Sequence, residues 1–222
     1  MLYMCEKVVV FDLDDTLCKE IDYLKSAYKE IAHRVASVQN AEADIYQCML
    51  DNYFNGKDVF QSLIEDYSVS LDKDALLAMY RNHVPTMCLN QDAQDVLDAF
   101  SQAGVVMGII TDGRSITQRN KIKALGLEKY ISPENIIISE EFGCGKPSEK
   151  GYRYFMDRYP DAQYWYIGDN VKKDFIAPNQ LGWTTICLKD DGRNIHGQTI
   201  EVDECCQPKM IVDSLSELLS LV

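Results

Sequence analysis

The sequence predicts a doubly wound α/β protein, a parallel sheet covered by helices on both faces, with a four-helix unit inserted behind its first strand. Three observations lead there: short apolar runs alternate with amphipathic stretches, the alternation is interrupted once by about 70 residues, and polar residues follow directly on several apolar runs.

The apolar runs are 7–11, 105–110, 136–138, 164–167, 184–188 and 210–212. Each is short and rich in β-branched or aromatic residues, as expected of strands buried on both faces. Helical spacing appears between them at 92–102, 114–125, 148–158, 173–180 and 214–221. Strand and helix in alternation imply right-handed crossovers and hence parallel pairing. The interruption covers 18–87 and is far longer than an ordinary crossover. Within it Ile21, Leu24, Tyr28, Ile31, Val35 and Val38 fall on one helical face, and helical patterns resume at 41–53, 59–67 and 74–82. Asn55-Gly56 and the region of Ser70 break those helices. The expected organisation is a core of 1–17 and 88–222 with a helical domain of 18–87, entered after Leu17 and left near Pro85.

A chain of 222 residues, 46% hydrophobic and 26% charged, suffices for a well-filled α/β core plus a modest insertion. With 35 acidic against 22 basic residues the formal charge is −13, which argues against nucleic acid and anionic membranes as partners. The same charge repels a phosphorylated substrate unless the site holds a cation. Eight scattered cysteines, without a CxxC pair, read as reduced thiols of a cytoplasmic protein. Neither a leader segment nor a membrane span is expected.

In an open parallel sheet, ligands gather at the carboxyl ends of the strands, so the residues that follow the apolar runs carry the chemistry. In Val8-Val9-Val10-Phe11-Asp12-Leu13-Asp14-Asp15-Thr16-Leu17 a buried strand runs into three carboxylates within four positions. Asp12 and Asp14 can meet over one cation there; the competing reading is a solvated acidic loop or a helix cap at Asp15. In Gly108-Ile109-Ile110-Thr111-Asp112-Gly113, the Thr111 hydroxyl and the amides of Asp112 and Gly113 can hold a phosphate oxygen, or merely cap the next helix. Lys146, in Gly143-Cys144-Gly145-Lys146-Pro147-Ser148, is either a fixed point charge for a phosphoryl group or an exposed loop lysine. In Ile167-Gly168-Asp169-Asn170-Val171-Lys172-Lys173-Asp174, Asp169 can complete a cation site. Asp174 can orient Lys146 or a metal-bound water, or serve only to cap a helix.

These four segments, in this order and each at a strand end, resemble the four motifs of the haloacid dehalogenase-like superfamily. The likeness runs from Val8 to about Leu188, and the helical insertion resembles that family's type-one cap. The resemblance implies a Rossmann-like core and a Mg²⁺-dependent phosphatase acting on a small phosphorylated metabolite, such as a sugar phosphate or a nucleotide-like phosphomonoester. It implies that Asp12 is the nucleophile that forms an aspartyl-phosphate, with Asp14 as general acid and base and Thr111 and Lys146 as the phosphoryl-binding pair. Asp112 and Gly113 would join the substrate site. Asp12, Asp169 and the backbone carbonyl of Asp14 would be the protein ligands of Mg²⁺, supported by Asp174. The closed, partly desolvated cleft is expected to favour a protonated Asp14.

Asp14 speaks against dehalogenation, because members that remove halogen lack a carboxylate there. Asp15 departs from the glycine that many relatives carry. Phosphonate cleavage would require a Schiff-base lysine from the insertion, and Lys19, Lys25, Lys29 and Lys57 read as surface lysines. A sugar phosphomutase shares the same phosphoryl site, and a binding module that kept the fold without turnover is a rival of another class. Tyr53 to Lys57 read as core plus turn, and His33, His83 and His196 as surface or capping residues. The stretch 190–207 has no expected function. A monomer is the default, with a dimer left open.

Overall fold

A computed structural model describes residues 6–36, 41–199 and 203–221. Six parallel strands form one sheet in the order β3-β2-β1-β4-β5-β6. The strands are β1 (Lys7–Phe11), β2 (Val106–Thr111), β3 (Ile136–Ile138), β4 (Gln163–Gly168), β5 (Thr184–Leu188) and β6 (Met210–Val212). All six predicted strands are present, and the order is that of a doubly wound Rossmann-like sheet.

Alternate residues of the buried strands feed two separate apolar layers. Val9, Phe11, Ile109, Ile167 and Ile186 pack on one side with α5 (Gln91–Gln102) and α6 (Ser115–Ala124). Val8, Val10, Ile110 and Tyr166 pack on the other with α8 (Lys150–Arg158), the short α9 (Ile176–Gln180) and Trp183. Side chains of a strand point alternately to opposite faces, so a run such as Val8-Val9-Val10 is apolar throughout because both faces are covered.

Between β1 and α5 lie α1 (Glu20–Val35), α2 (Ala41–Phe54), α3 (Val59–Tyr67) and α4 (Lys73–Asn82). They close around their own cluster, in which Ile21, Leu24, Tyr28, Ile31, Met49, Phe60, Leu63 and Leu76 are buried. The predicted stripe of α1 is the buried one; Val38, assigned to it, lies outside the described residues. Asp58 and Asp72 cap α3 and α4 by accepting the amides of Gln61 and Ala75 at 3.1 and 2.8 Å. Asn55-Gly56 is the turn after α2, with Gly56 at φ 68°. Tyr53 is partly buried against Tyr28, whereas Phe54 is exposed.

Several expectations require correction. The last helical segment, Leu215–Leu221, is a 3-10 helix. The helix expected from 173 begins only at Ile176, so Asp174 lies in the turn before it and not in its first turn. His83 takes the capping alternative and not the surface one: it is buried, its ring is held between Ser26 Oγ at 2.7 Å and the Glu30 carboxylate, and its backbone N–H caps α4 at Tyr80. Among the described residues, Cys18, Cys48, Cys88, Cys144, Cys187, Cys205 and Cys206 are free thiols, and no helix is long and apolar enough to cross a membrane.

Candidate active site

The carboxyl ends of β1 and β4 lie side by side, because these strands pair directly with Phe11 opposite Ile167. The first residue past β1 is Asp12 and the first past β4 is Asp169, so register alone sets two carboxylates at one edge, where the strand order reverses. Carboxylate oxygens of Asp12, Asp169 and Asp174 all lie within 4.8 Å of one another, and the three residues are 5%, 7% and 0% exposed.

Lys146 enters this cluster from the loop between α7 (Ser139–Phe142) and α8. It is buried, so the exposed-loop alternative does not hold. Its Nζ lies 2.9 Å from Asp12 Oδ2 and 2.8 Å from Asp174 Oδ1, and donates to the Tyr166 hydroxyl at 3.1 Å. The other oxygen of Asp174 accepts the Asn170 amide at 2.9 Å. With both oxygens engaged, Asp174 orients the lysine and the turn after β4. Gly168 leaves room for it: an added Cβ would stand 2.5 Å from Asp174 Oδ2.

The charges leave an excess. Burial pushes Asp12 up to about 7, with Lys146 opposing the rise and Asp174 adding to it. Burial, then the neighbouring Asp12 and Asp174, pushes Asp169 up to about 8. Burial alone would lower Lys146, but Asp12 and Asp174 outweigh it and hold the ammonium well above its ordinary value. Three buried carboxylates face one ammonium. An arrangement of all-oxygen donors with surplus negative charge fits a hard divalent cation, which would draw both raised aspartates down.

Asp14 diverges from this cluster. Its Oδ1 pairs with Lys121 Nζ at 2.6 Å and its Oδ2 accepts from Gln118 Nε2 at 2.9 Å. Both carboxyl oxygens of Asp14 thus face donors from α6. Asp15 takes φ 55°, the left-handed conformation in which glycine is most at ease and aspartate is tolerated. Its side chain ties the loop down by accepting the amides of Glu20 at 3.0 Å and Ile195 at 3.2 Å.

Thr111 ends β2 and is 1% exposed, its Oγ1 accepting from Gln118 Nε2 at 2.6 Å. One candidate phosphate donor, the Gly113 amide, is committed elsewhere. The Gly113 amide donates to Ser139 Oγ at 2.9 Å, and the Asp112 carboxylate accepts the Lys146 amide at 3.0 Å and Lys173 Nζ at 3.1 Å. Asp112 thus braces the two lysine-bearing loops, while Gly113 is turned to the loop of Ser139.

A cleft of about 200 Å³ opens over these groups, lined by Asp12, Asp14, Thr111 and Asp169 and also by Glu20, Lys173 and His196. Glu20 stands in the first turn of α1, where burial and then Asp14 push it up to about 7. The stretch after β5, which carries no motif, closes the other side. Asn194 Nδ2 donates to Asp169 Oδ2 at 3.0 Å, and Gln198 Nε2 donates to the Asp169 carbonyl at 2.8 Å. His196 therefore borders the cleft and is not merely a surface residue. Glu20, Gln118, Lys121, Asn194 and Gln198 all escaped the sequence reading. The only hint was at Gln118 and Lys121, polar residues on the helical face shared with Ile122 and Leu125.

The chain and its fold are similar to those of known proteins. The chain is 24% identical over 228 residues to a glyceraldehyde 3-phosphate phosphatase of Methanocaldococcus jannaschii, spanning 97% of this chain and 96% of that one. It is 23% identical over 230 residues to a phosphoglycolate phosphatase of Vibrio cholerae, again spanning 97% and 96% of the two chains. The fold superposes on the magnesium-bound HAD-hydrolase YfnB of Bacillus subtilis with a TM-score of 0.66, at 21% identity and 98% coverage of both chains. The family model of haloacid dehalogenase-like hydrolases matches residues 9–188, which include the carboxyl ends of the strands that border the cleft, and the chain belongs to that family.

Proposed function

We propose that this protein is a Mg²⁺-dependent phosphatase that hydrolyses a small phosphomonoester, a sugar phosphate or nucleotide-like metabolite, through an aspartyl-phosphate on Asp12. The observation that carries the reading is the meeting of Asp12, Asp169 and Asp174 around Lys146 at the ends of β1 and β4. Phosphatases of small phosphorylated metabolites among its relatives support the substrate class.

Asp12, Asp169 and the Asp14 carbonyl would hold the ion, with Asp174 supporting them. When bound, Mg²⁺ supplies positive charge that offsets repulsion between the Asp12 carboxylate and the phosphoryl oxygens. In the first half-reaction Asp12 attacks phosphorus, the bond to the leaving oxygen breaks, and Asp14 passes a proton to that oxygen. In the second, water attacks the aspartyl-phosphate, its proton returns to Asp14, and phosphate leaves with Asp12 restored. Lys146 and Thr111 would hold the phosphoryl oxygens throughout. Helices α1 to α4, residues 18–87, would act as the cap over a core of 1–17 and 88–222. A cleft of about 200 Å³ suits a phosphate with a small organic part.

The test is release of inorganic phosphate from a panel of sugar phosphates, nucleoside monophosphates and aryl phosphates, in Mg²⁺ and in EDTA. Metal-dependent release is expected. Isomer formation without release would point to a mutase, and an intact panel to a non-catalytic module.

A further inference from the structure

We infer that Lys121 and Gln118 are positioning residues for Asp14, holding its carboxyl group at the leaving-group side of the cleft; the inference rests on the phosphatase reading. Both come from α6 and each is 2% exposed. Three residues apart on one helix face, they reach the two oxygens of the same carboxylate, Lys121 Nζ at 2.6 Å from Oδ1 and Gln118 Nε2 at 2.9 Å from Oδ2. Donors fixed on one rigid helix leave the Asp14 side chain little rotational freedom, which is what proton transfer over a hydrogen-bond distance requires.

Gln118 also donates to Thr111 Oγ1 at 2.6 Å, so the group proposed to protonate the leaving oxygen and the group proposed to hold the phosphate share one anchor. Asp14 and Thr111 line the cleft, whereas Lys121 and Gln118 stand behind them, which makes these two positioning rather than catalytic residues. The Lys121 ammonium also sits 4.7 Å from the centroid of the Tyr23 ring, and the Tyr23 hydroxyl donates to the Tyr80 carbonyl at 2.6 Å. The hold on Asp14 is thereby braced by α1 and α4. A buried ammonium is hard to justify by packing alone, since an apolar side chain fills the same space without desolvation.

A positioned proton donor matters only when the leaving group needs a proton. The readout is kcat/KM with Mg²⁺ for phenyl phosphate, whose phenolate is basic, and for 2,4-dinitrophenyl phosphate, whose phenolate leaves unaided. Lys121→Met is expected to lose about 10²-fold on phenyl phosphate and less than about threefold on the dinitrophenyl ester. Lys121→Arg, which keeps the cation and its hydrogen bond, should recover most of the loss. Gln118→Leu should lose about tenfold in the same selective sense and provides the reading should Lys121→Met fail to fold. Equal losses on both esters, or no loss in either variant, would overturn the inference. A wild-type protein inert toward both esters would overturn the phosphatase reading itself, and this inference with it.

Discussion

Asn194 donates through Nδ2 to Asp169 Oδ2 at 3.0 Å, joining a segment without a motif to a carboxylate of the candidate metal site. The same side chain accepts Lys19 Nζ at 2.6 Å through Oδ1, so it is held from both ends. Partners of this kind orient a ligand and commonly account for ten- to a hundredfold in metal affinity. Asn194→Ala should weaken Mg²⁺ binding by about tenfold in calorimetric titration; an unchanged affinity would separate this loop from the metal site.

Asp12→Asn removes the proposed nucleophile while keeping its shape. Phosphate release should fall on the order of 10⁴-fold or more. Near-normal turnover in the variant would exclude covalent chemistry at this residue.

Lys146 is the only ammonium within salt-bridge distance of both Asp12 and Asp174 among the described residues. Lys146→Met leaves buried carboxylates unpaired and should lower stability in EDTA by about 3–5 kcal/mol, read from urea unfolding. Mg²⁺ should restore part of it, because in the proposed site the ion would face the same carboxylates.

In metal-free protein, Asp12 and Asp169 rise from 3.8 to about 7 and about 8. Between the ordinary and the raised value the native state binds more protons than the unfolded chain, so stability declines as pH rises across that interval. Melting temperatures in EDTA should therefore drop from about pH 4 toward pH 8. Millimolar Mg²⁺ should flatten the profile; a metal-free protein that gains stability across this range would contradict the assigned shifts.

Gly168→Ala would press a methyl group against Asp174 Oδ2, 2.5 Å away in this geometry. Overpacking of this kind costs about 1–3 kcal/mol and should displace Asp174 from Lys146, so both stability and turnover should fall. A neutral substitution would show that the turn after β4 yields easily.

All six strands and the helices α1 to α4 were legible because buried strands and amphipathic helices write their periods into a few neighbouring residues. Asp12, Thr111, Lys146 and Asp169 were legible because each sits just beyond, or ends, a short apolar run, or lies in a glycine-bounded loop, and Asp174 only through its place five residues after Asp169. The limits of that legibility were local too. A helix was expected to start at 173, but the turn that lets Asp174 accept the Asn170 amide delays it to Ile176.

The chain alone thus determined the layered α/β architecture and the order of its acidic and basic motifs, both properties of contiguous residues. Only the folded molecule decided which groups meet. Pairing of β1 with β4 brings Asp12 to Asp169, α6 turns Lys121 and Gln118 onto Asp14, and the loop after β5 delivers Asn194 and Gln198. Those encounters join residues 104 to 180 positions apart or lie in segments without any period, as between Asp14 and Gln118 or between Asp15 and Ile195. Distance along the chain carries no record of such contacts, because packing and not local propensity creates them.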